Sequence, residues 1–596
     1  MLKRLRRLVA ITVTTMMLLS GAAGADEVGV TITGSGWGDG VGLSQYGARA
    51  MADAGDSASQ ILNHYYSGAQ LRTIETLLLG SYFLADDAPV WVGLLQDQTE
   101  LTFHIEQGSA ELCFDDSGQC VGTAREGEKW RFAPDGSGGC FFSRQAGLEW
   151  WSGGYITFAP SGSCSASARP TSTSTTIRVP IKGRSYRRGT LRFRESPTSG
   201  LLHLVVQLGI EDYLRGIQEM PDSWRGAALE AQAIVSRTLV LREVLANGPV
   251  EDFETSRLDL CACHILDNSP EQVYGGFTAE EGHPFWQGRV GGTSGRVITW
   301  NNEVILAKFT SSTGGRTESN EAAGGPAYPY LESVDDSISL SSPAANPFSE
   351  WTAALDQDQI ASLLGYTWLS NARVATRNES GSVATVVLNG VIAGRPAERT
   401  ITGTALRDAL GLYSPSFSIS VTPRFADVLG SHPFAGEILG LSELGITTGC
   451  TEDLFCPGDE VTRGEMAAFL LRARGLESET GADPFVDDDG SYFEDQIETL
   501  YHHGITTGCT PTKFCPADPV TREEMAAFIT RAFGLVIPDG VTDPFVDDDG
   551  SYFEDQIETL DHHGITTGCT PTRFCPTDPV TREQMAAFII RALSVS

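Results

Sequence analysis

A single glutamate, Glu219, stands where its carboxyl group could act as an acid, directly before Met220 and Pro221 in the stretch GIQEMPDSW. The preceding IEDYLRGI has helical spacing, and a long run with apolar residues at helical intervals follows, capped by Asp222 or Ser223. Because the residue before a proline is pushed out of helical geometry, the chain must bend at Met220. The pattern predicts Glu219 at a joint between two helices, either as a working acid or as a structural carboxylate.

Three arginines, each in the first turn of a predicted helix, could bind an anion. They lie in VTRGE, VTREE and VTREQ, within a segment that occurs three times with a period of about 60 residues. The flanking Thr and Glu or Gln complete capping boxes, but a cation at this end opposes the helix dipole. Three copies of an unfavourable placement indicate a shared anionic ligand, held by the forked donors of Arg463, Arg522 and Arg582.

Aspartate runs and cysteine pairs also recur in these copies. The DDDG runs at Asp487 and Asp547 look faintly like calcium loops but lack EF-hand spacing, and the first copy has none. Each copy carries one closely spaced cysteine pair, which predicts a short-loop disulfide. Zinc bound with the neighbouring histidine pairs is an alternative that fits two of the three copies.

The composition indicates an exported protein with several modules. Residues 1–25 contain a basic stretch, an apolar run and a small-residue cleavage site, so we expect a cleaved secretory signal, with an uncleaved anchor as the alternative. Twelve cysteines, an even number, predict disulfides in an exported chain. A formal net charge of −34 argues against nucleic acid and anionic lipid as partners.

Residues 28–420 contain several separate motifs of one known family. These are GWGDGVGLSQYGA, IEDYLRGIQEMP, QVYGG, SSTGGRTE and the closing ITGTALRDALGLYSPSFSI. Together they resemble the SpoIID/LytB family of stage II sporulation protein D and amidase-enhancer proteins. The resemblance implies a lytic transglycosylase that cleaves peptidoglycan glycan strands stripped of their stem peptides, with Glu219 as the catalytic acid of the family's E-M-P motif.

The resemblance also implies further site residues. Asp39 stands where the family often has histidine, so any role of that imidazole is absent or altered here. Arg237 follows Glu219 on the next helix, where it could orient the carboxylate or be an ordinary surface arginine. The predicted substrate-binding residues are Gln45, Tyr46, Arg237, Tyr274, Ser311, Ser312, Gly314, Gly315, Arg316 and Glu318.

No cofactor is required by the implied reaction, although some family members bind zinc through a Cys and a His before Gln-Val-Tyr. Cys261, Cys263 and His264 occupy that segment here, with a longer gap to Gln272. Two thiols and an imidazole could leave an open zinc position, whereas in an oxidising exterior a disulfide or another structural role is equally open.

The C-terminal copies resemble S-layer homology (SLH) domains, which carry the same Thr-Arg-x-Glu signature and usually come in threes. This implies an all-α pseudo-threefold bundle that binds anionic secondary cell-wall polysaccharide. The expected fold class is α+β and multidomain, with a mixed α/β catalytic domain. Its expected divisions are 26–84, a disulfide-bonded β insert with a Ser/Thr linker at 85–176, a core at 177–420, and repeats at 422–476, 483–536 and 543–594.

Two functions from different classes follow from these observations. The first is a secreted, wall-anchored transglycosylase that leaves 1,6-anhydro-muramic ends. The second is a non-catalytic amidase enhancer that grips glycan in the same cleft, with an N-acetylmuramoyl-L-alanine amidase as its partner. A structural surface-layer role is disfavoured by the intact Glu219.

Overall fold

The computed structural model describes residues 28–79, 83, 86–145, 155–217, 219–341, 344–393, 395–477, 481, 483–536 and 543–595. The predicted secretory signal at residues 1–25 lies outside them. Within these ranges the chain is mixed α/β and multidomain, as the sequence predicts, with 24 strands and 15 helices.

The strands form six sheets, and the two largest have six and seven strands. In chain order they are β1 (Val28–Gly34), β2 (Leu43–Ser44), β3 (Gln70–Thr73), β4 (Val90–Gln98), β5 (Leu101–Gln107), β6 (Ser109–Phe114), β7 (Cys120–Arg125), β8 (Lys129–Pro134), β9 (Cys140–Gln145), β10 (Tyr155–Gly162), β11 (Ala166–Pro170), β12 (Thr176–Val179), β13 (Arg184–Tyr186), β14 (Thr190–Glu195), β15 (Leu202–Leu208), β16 (Ile265–Leu266), β17 (Arg296–Trp300), β18 (Glu303–Val304), β19 (Phe309–Thr310), β20 (Trp351–Asp356), β21 (Trp368–Arg377), β22 (Val383–Ile392), β23 (Arg395–Thr402) and β24 (Phe417–Val421).

Strands of the region 85–176 pair with later strands and contribute to the same core, so this region is not a separate insert. The six-stranded sheet has the order β10-β9-β8-β5-β12-β13 and the seven-stranded sheet the order β16-β4-β15-β14-β11-β6-β7. Strands β4 and β11 therefore pair with β15 and β14, which lie beyond residue 176, and β5 pairs with β12, which begins at that residue. Apolar side chains of both sheets share one hydrophobic core.

The predicted flexible Ser/Thr linker is wrong, because part of it is strand β11. This strand pairs with β6 on one side and β14 on the other. Its residues Ala166, Ser167 and Ala168 are completely buried. Small side chains let the strand lie at a crowded place between its neighbours, and the same small residues make the sequence look like a linker.

Smaller sheets tie the N-terminal motif to distant parts of the chain. Strand β1 lies between β20 and β24 in an antiparallel sheet, and β2 pairs in parallel with β19. Strand β17 pairs with both β3 and β18, and β22 lies between β21 and β23. Residues 28–44 are thereby fixed against residues 309–310, 351–356 and 417–421.

A long helix, α4, belongs to the region before the C-terminal repeats and is buried on most of its surface. It contacts α1, α2, α3 and α7 as well as strand β17. Ser44 caps α1, and Ser57 caps α2 in a capping box with Gln60. The helices of this part are α1 (Gln45–Ala54), α2 (Ala58–Tyr65), α3 (Ile210–Arg215), α4 (Gly226–Asn247), α5 (Thr255–Leu260), α6 (Gly276–Gly282), α7 (Pro284–Gly292), α8 (Gln357–Leu364) and α9 (Gly403–Leu410).

The three C-terminal repeats contribute two helices each and interlock in a ring. The second helix of each repeat packs on the first helix of the next, and the last helix closes the ring on α10. Their apolar faces form a separate core. The helices are α10 (Ala435–Glu443), α11 (Arg463–Arg474), α12 (Glu494–His502), α13 (Arg522–Phe533), α14 (Glu554–His562) and α15 (Arg582–Val595).

Six disulfides pair all twelve cysteines, as expected for an exported chain. Each C-terminal repeat has its own short-loop disulfide, which is the pairing the sequence favours over zinc. Among the helices of the described ranges, none has both the length and the apolarity needed to cross a bilayer.

Candidate active site

Glu219 lies at a joint between α3 and α4, as the sequence predicts. Before the joint the chain is extended, with Ile217 forming an antiparallel bridge to Tyr274 and Gly275 donating its N–H to the carbonyl of Gly216 across 2.8 Å. A Cβ on Gly216 would come within 2.4 Å of the Tyr274 ring, so only glycine fits. The Gln-Val-Tyr segment thus holds the E-M-P segment in place.

Two donors hold the carboxyl group of Glu219, which is partly buried. The backbone N–H of Val273 donates to Oε1 across 3.0 Å, and the side-chain amide of Gln45 also donates to the carboxylate. Burial raises the pKa of Glu219 to about 7, while the bonds from Val273 and Gln45 lower it in part. A carboxyl with a pKa near neutrality can both give and take a proton at physiological pH.

A buried polar network orients the amide of Gln45. Gln45 donates to Gln232 Oε1 across 3.4 Å, and Gln232 donates to Ser236 Oγ across 3.1 Å. Gln272 donates to the same Ser236 Oγ across 2.7 Å, and the hydroxyl of Tyr213 donates to Gln272 Oε1 across 2.8 Å. The network joins α1, α3, α4 and the Gln-Val-Tyr segment behind Glu219. The sequence signals it only through polar residues on an otherwise apolar helix.

An open cleft of about 630 Å³ lies beside the joint. Two aromatic rings form part of it, with Tyr46 and Trp224 at 5.2 Å between centroids and the Arg49 guanidinium 5.2 Å from the centre of the Trp224 ring. Tyr46 directly follows Gln45, a donor to Glu219, and Pro221 lies two residues after Glu219, so residues next to the acid and to its donor line the cleft. The lining residues are Tyr46, Arg49, Asp53, Pro221, Ser223, Trp224 and Arg225.

The serine–glycine–arginine loop, residues 311–318, begins next to Tyr46. The carbonyl of Ser311 accepts the N–H of Tyr46 across 3.1 Å, and Ser312 forms a bridge with Trp37. Gly314 and Gly315 have φ angles of 83° and 110°, which favour glycine. The loop therefore packs against the N-terminal motif.

Four of the predicted substrate-binding residues, Tyr274, Ser312, Arg237 and Glu318, have buried side chains with structural partners, so the structure gives no support for their contact with substrate. Ser312 is 1% exposed and accepts a hydrogen bond from Asn346. Tyr274 is 2% exposed and stacks on Tyr213 with 5.4 Å between ring centroids. These two residues support the site from behind and do not line the cleft.

Arg237 and Glu318 are the other two predicted substrate-binding residues with buried side chains. Arg237 is completely buried and donates to both carboxylate oxygens of Glu211 across 2.8 Å each, so it neither reaches substrate nor orients Glu219. Glu318 is 5% exposed and accepts from Asn378 and Ser380, in the turn between β21 and β22. Both side chains have structural roles.

Arg316 and Asp39 lie at the edge of the region and are more exposed. Arg316 forms an ion pair with Glu379 across 2.7 Å, in the same turn that binds Glu318. Asp39 accepts the N–H of Val41 and forms an ion pair with Lys308 across 3.2 Å. It lines a second cavity of about 300 Å³, away from Tyr46 and Trp224.

The predicted zinc ligands do not fit a metal in this structure. Cys261 and Cys263 are joined by a disulfide, so neither sulfur is available as a thiolate. His264 is buried, its Nδ1 accepts the N–H of Trp91 across 3.1 Å, and its Nε2 lies 2.8 Å from the carbonyl of Gly248. The open alternative of the sequence, a disulfide with a structural histidine, is the arrangement found.

The three repeat arginines are largely buried at the junctions between repeats, with 4–6% of each exposed. Their Nε atoms donate to backbone carbonyls of the next repeat, those of Phe514, Phe574 and Phe455. The Arg463 guanidinium also pairs with Glu524 across 2.7 Å, and that of Arg582 with Glu465 across 3.5 Å. Their placement against the helix dipole therefore has a structural explanation, and a ligand role stays a prediction.

Comparisons with known proteins identify two kinds of segment. Residues 198–300 match the family described as Stage II sporulation protein (SpoIID). Residues 424–467 and 484–526 match the S-layer homology domain. The third repeat, at 543–594, has the same pair of helices and the same capping threonine, Thr581.

Several curated proteins are similar to parts of the chain. Stage II sporulation protein D of Bacillus subtilis is 30% identical over 231 residues, 37% of this chain and 65% of that protein. The amidase enhancer of Bacillus subtilis is 28% identical over 198 residues, 32% of this chain and 24% of that protein. An S-layer protein of Bacillus thuringiensis is 29% identical over 171 residues, 28% of this chain and 21% of that protein. The segment that matches the SpoIID family contains Glu219 and Val273, and the segments that match the S-layer homology domain follow it.

Proposed function

We propose that this protein is a lytic transglycosylase that cleaves the glycan strands of peptidoglycan. The observation that carries the proposal is the carboxyl of Glu219, whose pKa burial raises to about 7 and which two donors hold beside an aromatic cleft. At a coarser level, the chain is a cell-wall-associated protein related to peptidoglycan metabolism, because it combines SpoIID-family and S-layer homology segments.

In the proposed reaction, Glu219 acts first as an acid and then as a base. It gives its proton to the glycosidic oxygen as the bond from that oxygen to muramic C1 breaks. The carboxylate then takes the proton of the muramic C6 hydroxyl as O6 bonds to C1. The products are a free hydroxyl on the leaving sugar and a 1,6-anhydro ring, with no net proton change.

One carboxyl is sufficient for this chemistry, because an internal hydroxyl captures the oxocarbenium-like centre. Glycoside hydrolases commonly need a second carboxylate, to activate water or to form a covalent intermediate. Burial, not a neighbouring carboxylate, is the largest cause of the raised pKa of Glu219. The N–H of Val273 and the amide of Gln45 stabilise the ionised form that exists between the two proton transfers.

The cleft fits a polysaccharide chain. Tyr46 and Trp224 offer aromatic faces for the apolar sides of sugar rings, and Ser223 adds a hydroxyl.

A second candidate is a non-catalytic amidase enhancer that binds glycan in the same cleft. The similarity to the amidase enhancer of Bacillus subtilis favours it, as does Asp39 in the place of the usual histidine. An N-acetylmuramoyl-L-alanine amidase would then be its partner. Both candidates need the cleft, and only the first needs the proton of Glu219.

The C-terminal repeats anchor the protein at the cell surface, as expected for a secreted protein with S-layer homology segments. We propose anionic secondary cell-wall polysaccharide as the ligand, with Arg463, Arg522 and Arg582 as contacts at the junctions. Because these arginines also hold the repeats together, the test replaces them with lysine, which keeps the charge but loses the fork. The triple lysine variant should sediment less with isolated walls at unchanged helical content; unchanged sedimentation argues against arginine contacts.

The enzymatic test uses purified protein and denuded glycan strands. Wild type should release fragments with 1,6-anhydro ends, one water lighter than hydrolysis products by mass spectrometry, and Glu219→Gln should release none. Asp222→Asn, which alters a carboxylate near the same joint that caps α7, serves as the matched control and should keep activity. No fragments from wild type, together with cosedimentation of wild type and Glu219→Gln with the strands, would favour the enhancer.

A further inference from the structure

Two aromatic rings outside the cleft continue the pair of rings that lines it. Tyr46 and Trp224 form part of the cleft wall, with 5.2 Å between their ring centroids. The ring centroid of Phe348 lies 6.2 Å from that of Tyr46, and the ring centroid of Trp37 lies 4.5 Å from that of Phe348. Trp224, Tyr46, Phe348 and Trp37 therefore form an unbroken row of four rings, which we call the aromatic row. It begins in the cleft beside the joint at Glu219 and continues beyond the residues that line the cleft.

The outer end of the aromatic row is open to solvent. Trp37 is 46% exposed, and no other tryptophan in the part of the chain that the structure describes is as exposed. Tyr46 and Phe348 are partly buried, so a part of each ring also faces solvent. A single exposed apolar side chain is ordinary on a protein surface, whereas contiguous exposed apolar rings beside a cleft are typical of a binding surface.

The serine–glycine–arginine loop fixes the backbone that carries Trp37. The N–H of Trp37 donates to the carbonyl of Ser312 across 2.7 Å, and the carbonyl of Trp37 accepts the N–H of Ser312 and the hydroxyl of Thr310. The flanking Gly36 and Gly38 have φ angles of 88° and 117°, and a Cβ on Gly38 would overlap the hydroxyl of Thr310. The backbone therefore holds Trp37 at this point of the surface.

Neighbouring residues of the same loop hold both halves of the aromatic row. The carbonyl of Ser311 accepts the N–H of Tyr46 across 3.1 Å, while Ser312 forms the bridge with Trp37. Between these two rings, the carbonyl of Phe348 accepts the N–H of the residue before Trp37 across 2.7 Å. The backbones that carry three of the four rings are thus joined directly, so a ligand that stacks on them has little ordering to induce.

The chemistry of the aromatic row suits a sugar polymer. Aromatic rings offer flat apolar faces, and one side of a sugar ring presents C–H groups that can lie against such a face. The row starts in the cleft, so the chain that occupies the cleft is the ligand that can reach the next ring. Nucleic acid bases also stack on aromatic rings, but a formal net charge of −34 repels their phosphates.

We propose that the aromatic row binds the part of a glycan strand that extends out of the cleft, with Trp37 as the outermost contact. The inference rests on the proposed binding of glycan in the cleft, which both candidate functions share. It goes beyond that proposal because Phe348 and Trp37 do not line the cleft and have no part in the proton transfers of Glu219. A strand that covers all four rings gains contacts that a short fragment lacks, so the protein should bind long strands more tightly than short ones.

The test measures binding to the full mature chain carrying Glu219→Gln, which serves as the parent protein and should leave the strands uncleaved. The ligands are long denuded glycan strands and a denuded tetrasaccharide, and calorimetry gives the two dissociation constants. The parent should bind the long strands more tightly. Adding Trp37→Ala should weaken the binding of long strands about tenfold and that of the tetrasaccharide less than about twofold.

Two further variants of the parent keep the test decisive. Trp37→Tyr keeps an aromatic face and should retain most of the affinity for long strands; a loss as large as that in Trp37→Ala would argue against stacking and overturn the inference. Tyr552→Ala removes a ring that is 89% exposed in the third repeat and should change neither constant.

The outcomes separate this inference from the proposed function. Equal affinity of the parent and Trp37→Ala for long strands would overturn the role of the aromatic row and leave glycan binding in the cleft intact. A parent that binds neither ligand would overturn the proposed function together with this inference.

Discussion

The backbone N–H of Val273 donates to Oε1 of Glu219 across 3.0 Å, although the two residues are 54 positions apart in the chain. This bond and the bridge between Ile217 and Tyr274 tie two family motifs into one unit. Because the donor is a backbone group beside the buried Gln272, its direction is fixed before any substrate arrives. The acid of the proposed reaction is therefore preorganised.

The rate of glycan cleavage should fall at high pH, because the reaction needs Glu219 in its protonated form. With the pKa of Glu219 raised to about 7, kcat/KM should drop about tenfold per pH unit above that value. Gln45→Met removes a donor that lowers this pKa, so the decline of kcat/KM should begin at a higher pH in the variant. Rates measured on denuded strands from about pH 5 to 9 test the decline in wild type and its shift in the variant. A decline at the same pH in both proteins would contradict the role of Gln45.

The stability of the fold should depend on pH through the same residue. Glu219 has a raised pKa in the folded state, so between about pH 4.5 and 7 the folded chain binds more protons than the unfolded one. Stability due to this group is thus lost as pH rises through that window. Glu219→Gln should raise the free energy of unfolding by on the order of 2 kcal/mol at pH 8 and by little at pH 4. Denaturant unfolding of wild type and Glu219→Gln at pH 4 and pH 8 measures this difference in the free energy of unfolding. An equal difference at the two pH values would contradict burial of the carboxyl group.

Arg237→Met should destabilise the region before the C-terminal repeats without changing the pH at which the proposed activity declines. The guanidinium is completely buried and Glu211 is its acidic partner, so its loss leaves a partly exposed carboxylate unpaired and should cost roughly 3 kcal/mol. Arg225→Ala, which breaks a more exposed pair with Asp53, should cost less than about 1 kcal/mol. Denaturant unfolding compares the two variants. If the activity of Arg237→Met declined at a different pH from that of wild type, Arg237 would instead have a role in orienting Glu219.

Gln584→Glu should stabilise the C-terminal ring. Arg463 pairs with Glu524 and Arg582 with Glu465, but the matching position for Arg522 is Gln584, and Arg522 has no carboxylate within ion-pair distance among the described residues. A third pair should add about 0.5–1 kcal/mol and raise the unfolding temperature, more so at low salt. Glu524→Gln is the mirror control and should lower it; no change in either variant would mean that these pairs contribute nothing.

Features set by local sequence are the ones that reasoning from sequence finds. The capping boxes of Thr462 and Thr521 follow from residues three positions apart, and both are present. The joint at Glu219 follows from Pro221. Each depends on backbone geometry within a few residues, which composition and spacing determine.

Reasoning from sequence misses the features that depend on tertiary packing. Asp222 caps α7 through the N–H groups of Phe285 and Trp286, instead of the adjacent helix, because the fold brings α7 to the joint. Arg237 looks like a surface arginine, yet it is completely buried beside Glu211. Neither partner can be read from its neighbours in the chain.

Three valines at the centre of the C-terminal ring join their backbones head to tail. Val461 donates to Val580, Val580 to Val520, and Val520 to Val461, each across 2.9 Å. A chain with two repeats would leave one donor and one acceptor of this triangle unsatisfied in the interior. The smallest anchor of this kind is therefore a complete set of three, and such a protein can lengthen its attachment only by acquiring another whole triplet.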